Sequence, residues 1–115
     1  MSNQSTKYVF VFLPIEEKGI LVEDVMTDLY LLDLAEKIGF EWLTLASGLG
    51  FKHPELQHIM SNYPDNLVDQ IHTMLVKWRQ RQPPRDMEPA VRALAEGMKI
   101  CHREDLADFV LTLLQ

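Results

Sequence analysis

At residue 23 the spacing of apolar residues changes from every second position to every third or fourth, and it keeps that period almost to residue 115. Side chains recurring every 3.6 residues lie on one face of an α-helix, so the rest of the chain is committed to amphipathic helices that must bury one side. Glycines and prolines divide the pattern into six. Asp24 is placed to cap a first helix with Val25, Leu29, Leu32, Ala35 and Ile38 inward, stopped by Gly39. Glu41 opens a second with Trp42, Leu45, Ala46 and Leu49, which Gly48 and Gly50 end. Pro54 suits the first turn of a third, burying Leu56, Ile59 and Met60. Asp65 or Asn66 caps a fourth with Leu67, Ile71, Met74, Leu75 and Trp78, halted by Pro83-Pro84. Asp86 caps a fifth with Val91, Leu94, Ala95 and Met98, and a sixth after His102 carries Leu106, Phe109, Val110 and Leu113. Six short helices joined by short loops predict an all-α bundle, with no internal repeat.

Residues 1–22 follow other rules. Tyr8-Val-Phe-Val-Phe-Leu13 is β-branched and aromatic, Pro14 stops it, and Gly19-Ile-Leu-Val22 is a second apolar run after a charged turn. That pattern predicts a short hairpin or extended arm, which must pack on the bundle or form the tail of an upstream β-rich module, because a bare apolar edge aggregates. The domain proper is therefore expected over residues 23–115. At 115 residues the chain is about one domain's length, large enough for an unstapled core. A single cysteine, Cys101, leaves no intramolecular disulfide and suits a reducing compartment. No apolar run approaches the ~18–20 residues that span a bilayer, and Tyr8–Leu13 makes a poor signal segment, so a cytoplasmic protein with no membrane partner is expected.

The ordered set of motifs resembles a known family. Gly39-Phe-Glu-Trp-Leu-Thr-Leu-Ala-Ser-Gly-Leu-Gly50 is similar to the death-domain pattern in which a glycine ends helix 1 and a tryptophan opens helix 2. Pro64-Asp-Asn-Leu, running to Lys77-Trp-Arg79, is similar to that family's fourth helix; Ala90-Val-Arg-Ala-Leu-Ala and Arg103-Glu-Asp-Leu-Ala resemble its fifth and sixth. Within the family, Trp78-Arg-Gln-Arg81 and Asn62-Tyr-Pro-Asp-Asn66 look most like the death domains of caspase adaptor proteins and ankyrins. Arg103-Glu-Asp-Leu106 also fits the helix-6 motif of the death-effector branch, and Trp42 and Trp78 favour the death domain proper. The resemblance implies a six-helix Greek-key antiparallel bundle with no catalysis. It would assemble apoptotic or inflammatory signalling complexes by homotypic contacts with other death-domain proteins, including its own copies. The competing reading is a structural module of a larger scaffold or receptor, packed on its own upstream domain.

Charge then nominates the contact surfaces. Net charge is −6; residues 1–41 carry 8 acidic against 3 basic residues, whereas residues 42–115 are nearly balanced. Lys77, Arg79, Arg81 and Arg85 form an acid-free run where the fourth helix meets the Pro83-Pro84 corner. Cations near a helix C-terminus stabilise its dipole by ~0.3–1 kcal/mol, and four exceed what that needs, so they are read as a partner-binding corner. Asp28, Asp33 and Glu36 on the first helix form the acidic counterpart. The negative field and the lack of a second basic helix oppose nucleic acid. His53, His58, His72 and His102 lack metal-ligand spacing, no glycine-rich phosphate loop is present, and Cys101 has no base beside it in sequence. No cofactor, metal or enzymatic activity is expected.

Overall fold

The structure, a computed structural model, describes residues 20–115. The strand-like Tyr8–Leu13 expected in the N-terminal arm lies outside the described residues. Of the second apolar run, Val22 opens a helix and is buried, and its N–H donates to the Pro84 carbonyl at 2.7 Å. That bond ties the chain's entry to the Pro83-Pro84 corner.

The helices are α1 (Val22–Val25), α2 (Asp28–Lys37), α3 (Trp42–Gly48), α4 (His53–Asn62), α5 (Leu67–Gln80), α6 (Met87–Ile100) and α7 (Glu104–Leu111). A 3-10 turn, Thr112–Leu114, closes the chain, and no strand occurs among the described residues. The six expected helices are α2–α7, with the one-turn α1 added in front.

That addition corrects the first predicted helix. Instead of a continuous segment capped by Asp24, α1 stops at Met26 and Thr27 turns extended (φ −70°, ψ 168°), its hydroxyl accepting the Tyr30 N–H at 3.1 Å. Restarting the helix there shifts its phase. The inward face of α2 becomes Leu31, Leu34, Ala35 and Ile38; Leu32 is only partly buried, and Leu29 is 77% exposed. Met26, filling the core from the break, does what Val25 and Leu29 were expected to do.

The other helices follow their stripes. Asn66 caps α5 reciprocally: its carbonyl oxygen accepts the Asp69 N–H at 3.1 Å while its amide donates to the Asp69 carboxylate at 2.8 Å. Both tryptophans are 2% exposed, inside a core that also holds Leu31, Leu75 and Met98. Neighbours in sequence pack together (α3 with α4, α4 with α5, α6 with α7), and α2 also packs on α5 and α3 on α6. Elements three apart also pair, as the expected Greek-key bundle requires. At Gly97 a Cβ would come within 2.8 Å of Leu45, so α3 and α6 approach as closely as they do because residue 97 has no side chain.

Candidate functional site

The predicted basic corner divides by surroundings. Arg79 points back into the fold with a side chain only 14% exposed. Its Nη1 donates to the Met26 carbonyl at 2.8 Å and its Nη2 to Asp28 Oδ1 at 2.7 Å. Met26 is the C-cap of α1, where carbonyls run out of intrahelical donors, and Arg79 supplies the missing one. One turn pair earlier on α5, His72 Nε2 lies 3.2 Å from the Asp28 carbonyl. α5 thus pins the α1–α2 break from two positions on one face.

Arg81 faces the other flank. It pairs with Glu55 of α4, and its guanidinium lies 4.1 Å from the centroid of the Phe51 ring. Glu55 also accepts the Lys52 N–H at 2.8 Å at the start of α4, and these two donors hold its carboxyl below the usual range. Both side chains of the Arg81–Glu55 pair are roughly two-fifths exposed, so it is a solvent-screened surface pair that adds little to stability. Arg85 is partly buried in the corner, its Nη1 buried without a hydrogen-bond partner among the described residues. Lys77 is exposed and has no ion partner among the described residues. It rims a shallow cleft between α4 and α5 with Pro54, Glu55, His58 and Arg81.

The acidic counterpart is divided in the same way. Asp28 is held by Arg79, Asp33 pairs with Lys37 at 3.5 Å, and Glu36 is exposed without an ion partner among the described residues. The two expected patches therefore touch inside one molecule through Asp28 and Arg79. Their outer members, Lys77 and Arg81 on one side and Asp33 and Glu36 on the other, still face solvent.

Two features escaped the reading of the chain. Leu29 sits on the solvent face among Glu23, Asp24 and Asp28, along a shallow cleft that reaches Arg79. Only the Thr27 cap could have revealed it, since Thr27 followed by Asp28 is a helix-start signal that competes with Asp24. The second is an ionic junction: Arg103 grips both oxygens of Asp105 at 3.0 Å and reaches Glu41 at 2.5 Å. It ties the start of α7 to the start of α3, and its guanidinium holds the Glu41 and Asp105 carboxyls below their ordinary values. Sequence marked Arg103 as motif, but Glu41, 62 residues away, could be found only by folding.

Among the described residues no group of three or more His, Cys, Asp or Glu side chains is placed to hold a metal ion. Cys101 is 8% exposed, burial pushes its thiol up, and its Sγ donates to the Met98 carbonyl at 3.3 Å. Thiolate formation is thereby opposed. The Tyr30 hydroxyl is buried and its pKa is pushed up to about 12, by desolvation first and the Asp33 charge second; its ring stacks on Phe109 at 5.8 Å.

Comparison with known proteins gives this architecture its family. Residues 28–113 match the family described as Death domain. Over 90 residues, 78% of this chain, the sequence is 31% identical to mouse p53-induced death domain-containing protein 1. The chain belongs to the death-domain family, a non-catalytic fold for homotypic protein–protein interaction whose members bind other death-domain proteins. It spans 10% of that mouse relative's length, which makes the likeness one between domains. No helix among the described residues is long and apolar enough to cross a membrane.

Proposed function

We propose that this death domain recruits other death-domain proteins into apoptotic or inflammatory signalling assemblies in the cytoplasm, in the manner of caspase adaptors. The observation that carries the reading is the pair of outward-facing charge groups on a fold whose family works by homotypic contact. One group is what the corner of Lys77, Arg79, Arg81 and Arg85 leaves facing solvent; the other is what Asp28, Asp33 and Glu36 leave there. Within them the solvent-facing members, Lys77, Arg81, Asp33 and Glu36, carry the contact, while Arg79 and Asp28 set the frame. Likeness to a relative named for induction by p53 supports an apoptotic setting.

Exposed ion pairs are individually weak, but several acting together steer encounter and reject partners of the wrong sign. The test is co-elution of the pure domain with candidate death domains at low and high salt. A complex that weakens as salt rises, and weakens further in Lys77→Glu/Arg81→Glu, is the expected result. A complex indifferent to both would remove these surfaces from the reading.

A further inference from the structure

We infer that the cleft between the α2–α3 corner and the start of α5 binds an arginine side chain presented within a polypeptide. Phe40 follows Gly39 in the turn that joins α2 to α3 and is 86% exposed, more than any other large apolar side chain among the described residues. With Asp65, Asn66, Leu67 and Gln70 it lines a cleft of about 370 Å³. Leu67 is partly buried and packs against the core, so the apolar side of the cleft is anchored in the bundle. None of these residues belongs to the two charge groups that carry recruitment, and the site stands independently of that reading.

The groups left free in the cleft select the ligand. Asn66 is engaged in the α5 cap with Asp69, and Gln70 donates its amide to the Tyr63 carbonyl at 2.9 Å, which leaves the Gln70 carbonyl oxygen as an acceptor. Asp65 is the one charged residue among those that line the cleft; it is exposed and has no ion partner among the described residues. A ligand that fits must carry positive charge, donate several hydrogen bonds and cover an aromatic face, and arginine does all three with one planar group. The molecule already makes this contact elsewhere: the Arg81 guanidinium that pairs with Glu55 also lies over the Phe51 ring, and Lys37 lies 5.4 Å from the centroid of Phe109. Phe40 is the phenylalanine among the described residues that has no such cation. The partial positive charge at the start of α5 opposes a cation, but it amounts to about half an elementary charge and is met by two carboxylates, Asp65 and Asp69. Free arginine would set its own carboxylate against Asp65; within a chain that carboxylate is an uncharged amide, so the ligand is a residue of a polypeptide.

An amide-shift NMR titration of the isotope-labelled full chain tests this with glycine-flanked, terminally blocked peptides that differ in one central residue: arginine, lysine or citrulline, which has arginine's shape without its charge. The arginine peptide should move the amides of Phe40, Leu67 and Gln70 saturably and bind at least about fivefold more tightly than either of the others. Phe40→Leu keeps an apolar side chain and removes the ring face. Asp65→Asn removes the charge and leaves the turn intact, because asparagine tolerates the left-handed backbone (φ 60°) found at that position. Both variants should melt as wild type does and bind the arginine peptide at least about threefold more weakly. Shifts that do not saturate or that fall away from the cleft overturn the inference, as does a lysine or citrulline peptide that binds as tightly, or either variant binding as wild type does. Free arginine that binds as tightly as the peptide overturns the assignment to a polypeptide. The comparison of peptides on wild type needs neither variant to fold.

Discussion

α2 and α5 lie side by side, both start from a side-chain cap and both carry an apolar stripe, yet they divide their residues differently. α5 starts once, at Asn66, and runs for 14 residues, so every apolar position from Ile71 to Trp78 lands where its spacing says it should. α2 follows a break, and the Thr27 cap resets its phase so that Leu29 is thrown outward and Met26 takes the core. Spacing fixes how wide an apolar face is; the cap fixes which residues occupy it. The consequence is two different surfaces. α5 hides its apolar side and offers cations, whereas α2 offers acids with a leucine among them.

The largest effects should separate the buried side of α5 from the exposed side of α2. Trp78→Ala removes a side chain that is 2% exposed and should cost ~3–5 kcal/mol, much of an ordinary domain's ~5–15. Leu29→Ala should stay within about 0.5 kcal/mol. Chemical denaturation measures both, and comparable losses would put Leu29 back in the core.

Next in size is the contrast between two cations two residues apart. Arg79→Met strips the donor from the Met26 carbonyl and from Asp28 and should cost ~1.5–3 kcal/mol, while Lys77→Met should be close to neutral. Equal melting temperatures for the two variants would mean that Arg79 is not holding the α1–α2 break. Thr27→Ala removes the cap that resets α2 and should cost about 1 kcal/mol. Combined with Arg79→Met the loss should fall short of the sum, because both act on one junction.

The bundle and its order were legible in the chain because periodicity and Pro or Gly stops agree from Glu41 onward; of the predicted side-chain caps there, Asn66 forms its bond, whereas Asp86 sits at the N-cap of α6 without one. The charged corner was legible by composition only. Lys77, Arg79, Arg81 and Arg85 form a run in sequence, but on a helix positions 77 and 81 share one face while 79 turns away toward α2, and no local rule says which face meets a neighbour. Long-range partners stayed hidden for the same reason: Arg79 with Met26, and Arg103 with Glu41, become neighbours only when α5 and α7 dock.

The smallest effects concern pH, and they differ in sign at the two ends of the range. Arg103 lowers the pKa of Glu41 and Asp105, so the stability they contribute is fully present above the unfolded carboxyl range of ~4 and is lost as pH falls through the folded values. Arg103→Met should flatten that acid limb of the melting-temperature profile. Tyr30 is raised from 10.0 to about 12, so its contribution is fully present below pH 10 and is lost as pH rises toward 12. Tyrosinate absorbance should show a late-titrating component that Tyr30→Phe removes.

One titration bears most directly on the claim that outward-facing charge on α5, as distinct from its inward-facing charge, makes the contact. A labelled partner death domain is titrated by fluorescence anisotropy with wild type and with Lys77→Glu, at low and at high salt, the melting temperature of each recorded beside it. Lys77→Glu should fold as wild type does, bind about tenfold more weakly at low salt, and approach wild type as salt screens both. Binding that is unchanged by the reversal at every salt concentration would contradict the account.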